Sequence, residues 1–253
     1  MKTWLSIVVV LFVLLTIPVM ANDKTISFAV GHDHEKMLSK NYPIYRANWE
    51  FLNESLSLLG YSIETDIGPW ARAKHRTQTG KSHGLFMAAN FEGRDKWARL
   101  SDPIGFGTFG AFYNIKNPDG MKVVASIRLG DHDKILSHFV SGDVLEVSTA
   151  HQGFKLLFNR RIDRFVMSES YGNYLLNTEL KEYASQIAFD RSNTEKRTIH
   201  VAFSKDNRAS LEALKILNQA IQIGIEYGLY DDAMSRNNVP LHMRLSRKQK
   251  PSK

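Results

Sequence analysis

The sequence predicts an α/β protein of two lobes, each with a parallel-dominated sheet flanked by helices. Strand-like and helix-like segments alternate along the chain, which calls for parallel strands joined by right-handed crossovers. The alternation runs twice, restarting after the turn residues Asn117, Pro118, Asp119 and Gly120. With 253 residues, 43% of them hydrophobic, the chain is long enough to bury the cores that two lobes need.

The elements follow in order. Residues 24–30 read as a strand with Ile26, Phe28 and Val30 on one face. Residues 47–59 place Trp49, Leu52, Leu56 and Leu59 at helical spacing, and Gly60 supplies the stop. A short alternating strand covers 61–65. Pro69 opens a second helix that Gly80 closes. Residues 84–88 and 111–115 are apolar strands. The second run has strands at 122–129, 144–147, 162–167, 186–189 and 198–203, and helices at 130–140, 151–159 and 169–180. The longest helix, 207–227, ends at Gly228. From Asn237 onward the chain has no periodicity, which predicts a flexible tail over 237–253.

Composition removes whole classes of function. Aromatic residues make up 11% of the chain and charged ones 23%, so it is not a disordered polymer. The absence of cysteine excludes a disulfide scaffold, a thiolate metal site and a cysteine nucleophile. The net charge of +7 suggests nucleic acid until its distribution is read. Setting aside Lys2 and the six cations after Asp232 leaves 26 of the 33 basic residues against 26 acidic ones. The body of the protein is neutral and the excess belongs to the chain ends, so no nucleic-acid partner is expected.

At the N-terminus, Lys2 precedes an apolar run over 5–17. Pro18 breaks it, and Val19, Met20 and Ala21 place small residues where a signal peptidase reads. The run is shorter than the roughly 20 residues needed to span a bilayer. Residues 1–21 are therefore expected to be a cleaved secretory signal, and the mature chain to be soluble and periplasmic.

Local motifs narrow the chemistry further. His32, Asp33, His34 and Glu35 follow the first strand and have metal-ligand chemistry, but without a distant third ligand they read as a solvated polar loop, and no metal or cofactor is expected. Residues 105–110 are glycine-rich but precede a strand rather than a helix. They cannot aim a helix N-terminus at phosphate and read as packing or hinge backbone. No G-x-S-x-G elbow, Walker loop, H-E-x-x-H or dinucleotide fingerprint is present.

Several segments, taken in order, resemble the bacterial extracellular solute-binding proteins of family 3, the amino-acid-binding type with the type II periplasmic binding fold. They are Ile26 to Gly31; Pro69 to Ala73 with His83 to Phe86; Arg94 with Leu100 to Pro103; Arg161 to Val166; and Phe203 to Lys205 with Leu217 to Ala220 and Gly228 to Tyr230. The resemblance implies a first lobe of residues 22–110 and 202–236 and a second of 111–201. Two crossing strands near 110–114 and 199–203 would form the hinge, and a ligand would sit in the cleft.

The resemblance also implies candidate ligand contacts. Arg94 matches the arginine that grips a ligand carboxylate, a task suited to the planar guanidinium. Its other reading is a surface arginine paired with Glu92 or Asp95. Phe91 stands where the family has a carboxylate-directed threonine. Asp131, after Gly130, falls at a helix start that usually receives an anion; it would cap the helix itself and repel a carboxylate. Ser168 stands where an acid usually holds the ligand ammonium. Trp70 and Arg72 can stack on and charge-pair with a ligand, and Tyr42, Tyr45 and Phe106 are further candidate wall residues. The implied protein is a monomer that captures a small polar solute, amino-acid-like or an organic acid, for an ABC transporter or a sensor. A lyase or a stand-alone sensing module on the same fold is the alternative.

Overall fold

In a computed structural model of the protein, residues 24–40, 42–129, 135 and 144–246 are described. The expected signal at 1–21, the helix start at Gly130 and Asp131, and the last seven residues lie outside them. The chain forms β1 (Lys24–Gly31), α1 (His34–Ser39), α2 (Pro43–Ser57), β2 (Tyr61–Gly68), α3 (Trp70–Gln78), β3 (Gly84–Ala89), β4 (Ala98–Leu100) and β5 (Gly105–Asn114). It continues with β6 (Val124–Ile127), β7 (Leu145–Val147), α4 (Ala150–Phe158), β8 (Arg164–Ser168), α5 (Glu169–Thr178), α6 (Lys181–Ala184), β9 (Ile187–Ser204), α7 (Arg208–Glu226) and α8 (Leu229–Arg236). None of the described helices is long and apolar enough to cross a membrane.

One nine-stranded sheet runs through the molecule in the order β2-β1-β3-β9-β5-β8-β6-β7, with β4 paired to β9. Each end of the sheet is parallel: β1 pairs with β2 and β3, and β6 pairs with β7 and β8. The middle is antiparallel, where β9 meets β3 and β5, and β5 meets β8. This is the expected two-lobe α/β architecture. The long antiparallel strands β5 and β9 lie between the two parallel ends; residues 200–203, within the expected second crossing stretch, pair with β3 and β4, and the exposed middle of β9 lies before them.

One continuous core of buried residues runs along the sheet, with aromatic rings at both ends. On one side Phe28 stacks on Phe86 at 6.4 Å and meets Phe203 edge-on, beneath α2, which packs on α7 and α8. On the other side Phe154 stands edge-on to Phe112 at 5.1 Å and to Phe165 at 5.3 Å. Helices α4 and α5 come close enough to seat these rings only because glycine faces them. A Cβ at Gly153 would lie 2.3 Å from the Phe165 ring, and one at Gly172 would lie 2.3 Å from Phe112.

Several elements differ from the sequence expectation. Strands expected at 186–189 and 198–203 are one strand, β9, whose polar middle crosses between the halves with residues 191–194 exposed. The glycine-rich residues 105–110 are the first part of β5, paired with residues 194–199 of β9. The loop expected at His34 and Glu35 begins helix α1, and α8 continues after Gly228, whose φ of 80° lets the chain turn and restart. The expected flexible tail is packed as far as Ser246. Val239, Met243 and Leu245 are buried, Asn237 Nδ2 donates to Glu50 at 2.7 Å, and the Leu245 N–H donates to the Tyr230 hydroxyl at 2.9 Å.

Candidate functional site

In an open α/β sheet, ligands bind beyond the carboxyl ends of the parallel strands. Here the two parallel halves aim those ends at one another. Gly31 ends β1, Ala89 ends β3, Ile127 ends β6 and Ser168 ends β8, and all four residues line a single cavity of about 190 Å³. Its walls come from both halves: Tyr42, Tyr45, Trp70, Phe86, Phe91 and Phe106 on one side, and Leu129, Thr149, Val166, Met167, Ser170 and Tyr171 on the other. Ile199 of β9 and Phe109 of β5 line it from the crossing strands, and Met243 contributes from the packed C-terminal segment.

The lining is mostly aromatic and aliphatic, with one polar corner. Asp33, two residues past β1, is 2% exposed. Its carboxylate accepts a short hydrogen bond from the Tyr171 hydroxyl, delivered across the cavity by the first turn of α5, and lies 3.1 Å from His32 Nε2. Beside it, the Tyr42 hydroxyl and Ser170 Oγ are 2.6 Å apart, and Ser170 Oγ is 3.1 Å from Ser168 Oγ. Burial pushes the Tyr42 phenol up to about 12. Burial, then the negative charge of Asp33, pushes Tyr171 up as well. Both hydroxyls therefore stay protonated near neutral pH, and Tyr171 gives its hydrogen to Asp33.

The metal reading of the residues after β1 meets a different arrangement. His34 is buried, shares a 2.7 Å hydrogen bond with the Tyr45 hydroxyl, and packs edge-on against Trp49 at 4.6 Å. Burial lowers its pKa, so the neutral ring is favoured. Among the described residues, no three His, Asp or Glu side chains converge on a point where an ion could sit.

The candidates from sequence divide by position. Trp70, Phe91, Tyr45 and Ser168 line the cavity, as do Tyr42 and Phe106. The buried indole N–H of Trp70 has no hydrogen-bond partner among the described residues. Arg72 is exposed and outside the lining. Arg94 is 0% exposed and is not part of the cavity wall. Its guanidinium lies 5.5 Å from the Phe91 ring and 5.6 Å from Trp97, so the phenyl group that replaces a hydroxyl also stands beside the cation. Asp131 lies outside the described residues. Sequence reasoning weighed Asp33 as a metal ligand or part of a solvated loop near the cleft and passed over Tyr171. The signal that points to Asp33 is its place immediately after the carboxyl end of the first parallel strand.

Around the rim, a second set of contacts joins the halves. Lys36 Nζ on α1 sits 3.0 Å from Glu179 Oε2, which also lies 3.1 Å from His151 Nε2. The Tyr174 hydroxyl donates to the Lys36 carbonyl at 3.1 Å.

No protein-family model matches the chain, and no curated protein matches it. Solved structures do. A histidine kinase sensor domain similar to periplasmic binding proteins aligns with a TM-score of 0.67 at 16% identity, covering 85% of this chain and 96% of that one. A substrate-binding protein of an ABC uptake transporter from Streptococcus pneumoniae, with bound histidine, aligns with a TM-score of 0.66 at 14% identity, covering 88% and 95%. The arginine-, lysine-, histidine-binding protein of Geobacillus stearothermophilus aligns with a TM-score of 0.64 at 11% identity, covering 90% and 100%. At these identities the likeness establishes the fold, which is the type II periplasmic binding fold.

Proposed function

We propose that the protein is an exported solute-binding protein of the periplasm. It captures a small polar solute between its halves and presents it to a transporter. The observation that carries this reading is the cavity itself: its walls come from the strand ends of both halves, so one bound molecule touches both. A ligand held in that way favours the closed arrangement because only there are all its contacts made. The proposed moving units are residues 22–110 with 202–236, and 111–201, swinging about β5 and β9. The likeness to a sensor domain supports a second reading, in which the closed form is read by a membrane signalling protein.

The test is thermal unfolding of the purified protein against amino acids, amines, organic acids and short peptides. Binding to the native state alone raises the melting temperature. At least one class is expected to do so, with a matching fall in the radius of gyration in solution scattering. Silence across the screen, or turnover of a compound without stabilisation, rejects the proposal. A membrane sensor rather than a transporter recovered in pull-down selects the second reading.

A further inference from the structure

The chemistry of the cavity wall narrows the ligand, on the assumption that the solute-binding reading holds. Among the described residues lining the cavity there is no lysine or arginine. The acid there is Asp33, and the imidazole beside it is His32. Arg94, the residue that a ligand carboxylate would need, lies beside the rings of Phe91 and Trp97 and outside the lining. Lys196 is exposed, sits 4.2 Å from the Phe106 ring, and is also outside it. A carboxylate entering this space would shed its water against aromatic rings and a like charge, with no cation among these lining residues to receive it.

The same wall suits a cation. A carboxylate has about four acceptor positions. Tyr171 takes one on Asp33 and His32 Nε2 lies 3.1 Å from the other carboxylate oxygen, so positions remain for an ammonium group. The ring faces of Tyr42 and Tyr45, stacked at 6.1 Å, carry the negative quadrupole that attracts a positive charge. Away from this corner the lining is Phe86, Phe91, Phe109 and Trp70, which offers dispersion contacts to an apolar body. An apolar cavity of about 150 Å³ accommodates benzene. The 190 Å³ here fits one ring with a short chain.

We propose that the cavity takes a small monoamine with an apolar body and no carboxylate, its ammonium at Asp33 and its body against Phe86, Phe91, Phe109 and Trp70. The experiment compares four matched probes on the wild-type protein: 2-phenylethylamine, phenylalanine, 3-phenylpropionate and 2-phenylethanol. The amine is expected to bind most tightly. At 100 times its Kd it should raise the melting temperature by roughly 5–10 °C. Asp33→Asn is expected to weaken the amine about 10- to 100-fold more than it weakens the alcohol. The wild-type ranking decides the matter even if that variant does not fold.

Phenylalanine or 3-phenylpropionate binding as tightly as the amine overturns the proposed class and leaves the solute-binding reading standing. The class is overturned in the same way if none of the four binds while another compound of the broader screen does. If nothing in either set raises the melting temperature, both fall.

Discussion

Two buried charges, Arg94 and Asp33, are held in different ways. Arg94 lies among aromatic faces outside the cavity, whereas Asp33 sits on the cavity wall with its carboxylate tied to the far half through Tyr171. The first charge is positioned inside one half, where it acts on packing. The second is hydrogen-bonded to Tyr171, 138 residues further along the chain. A recognisable residue can keep its place in the chain while a neighbour's side chain changes what it is able to touch.

The sharpest way to break this contrast is Arg94→Ala. Removing a fully buried side chain that packs against two rings should destabilise the protein by about 2–4 kcal/mol, read as a lower urea midpoint. The ligand-induced gain in melting temperature should survive in whatever protein remains folded. A variant with the wild-type midpoint and no ligand gain would return the guanidinium to the cavity. Tyr171→Phe comes next. It strips a donor from buried Asp33 and should cost the closed form about 1–3 kcal/mol, visible in scattering as a larger radius without ligand. An unchanged radius would show that the Tyr171 hydrogen bond does not hold the halves together.

A pH titration gives a smaller effect with a definite sign. Burial lowers the pKa of His34 and of His200, whose Nδ1 lies 2.7 Å from the Ser101 carbonyl and whose Nε2 lies 2.8 Å from the Thr198 hydroxyl. The unfolded chain takes up protons near the ordinary histidine value of 6.5 while these folded rings resist. Stability should therefore be level above that pH and fall as the pH drops below it, until the folded rings protonate in turn. Urea midpoints at pH 7.5 and 5.5 would check this, and equal midpoints would contradict it. The smallest effect is expected from Lys36→Ala. The side chain is 52% exposed, so losing its contact with Glu179 should change stability by no more than about 0.5 kcal/mol.

Much of the fold was legible because hydrophobic period and turn chemistry agree in the strands and helices that pack on one face. Phe28 and Phe86 sit where alternation places them, and α7 runs within a residue of its expected span. Legibility failed where burial and polarity part company. The middle of β9, from Asp190 to Arg197, is polar because it crosses between halves, so it has no apolar alternation to betray a strand. Helix α1 was hidden because its inward residues include His34, buried against Tyr45 and Trp49 rather than solvated. Within the site, the aromatic candidates Trp70, Tyr45 and Phe91 came from the family resemblance, and they line the cavity. The role of Asp33 could not be read in this way, since its partner Tyr171 lies 138 residues away and comes near only when both halves are built.

The C-terminal segment carries a practical consequence. Met243 lines the cavity, and the chain holding it there is tied to Tyr230 and Glu50 by Leu245 and Asn237. An expression boundary drawn after Arg236, where α8 stops, would cut away part of the cavity wall along with the residues that look dispensable. Affinity reagents and fusion partners are better joined beyond Ser246, so that the stopper at the chamber's edge stays in its seat.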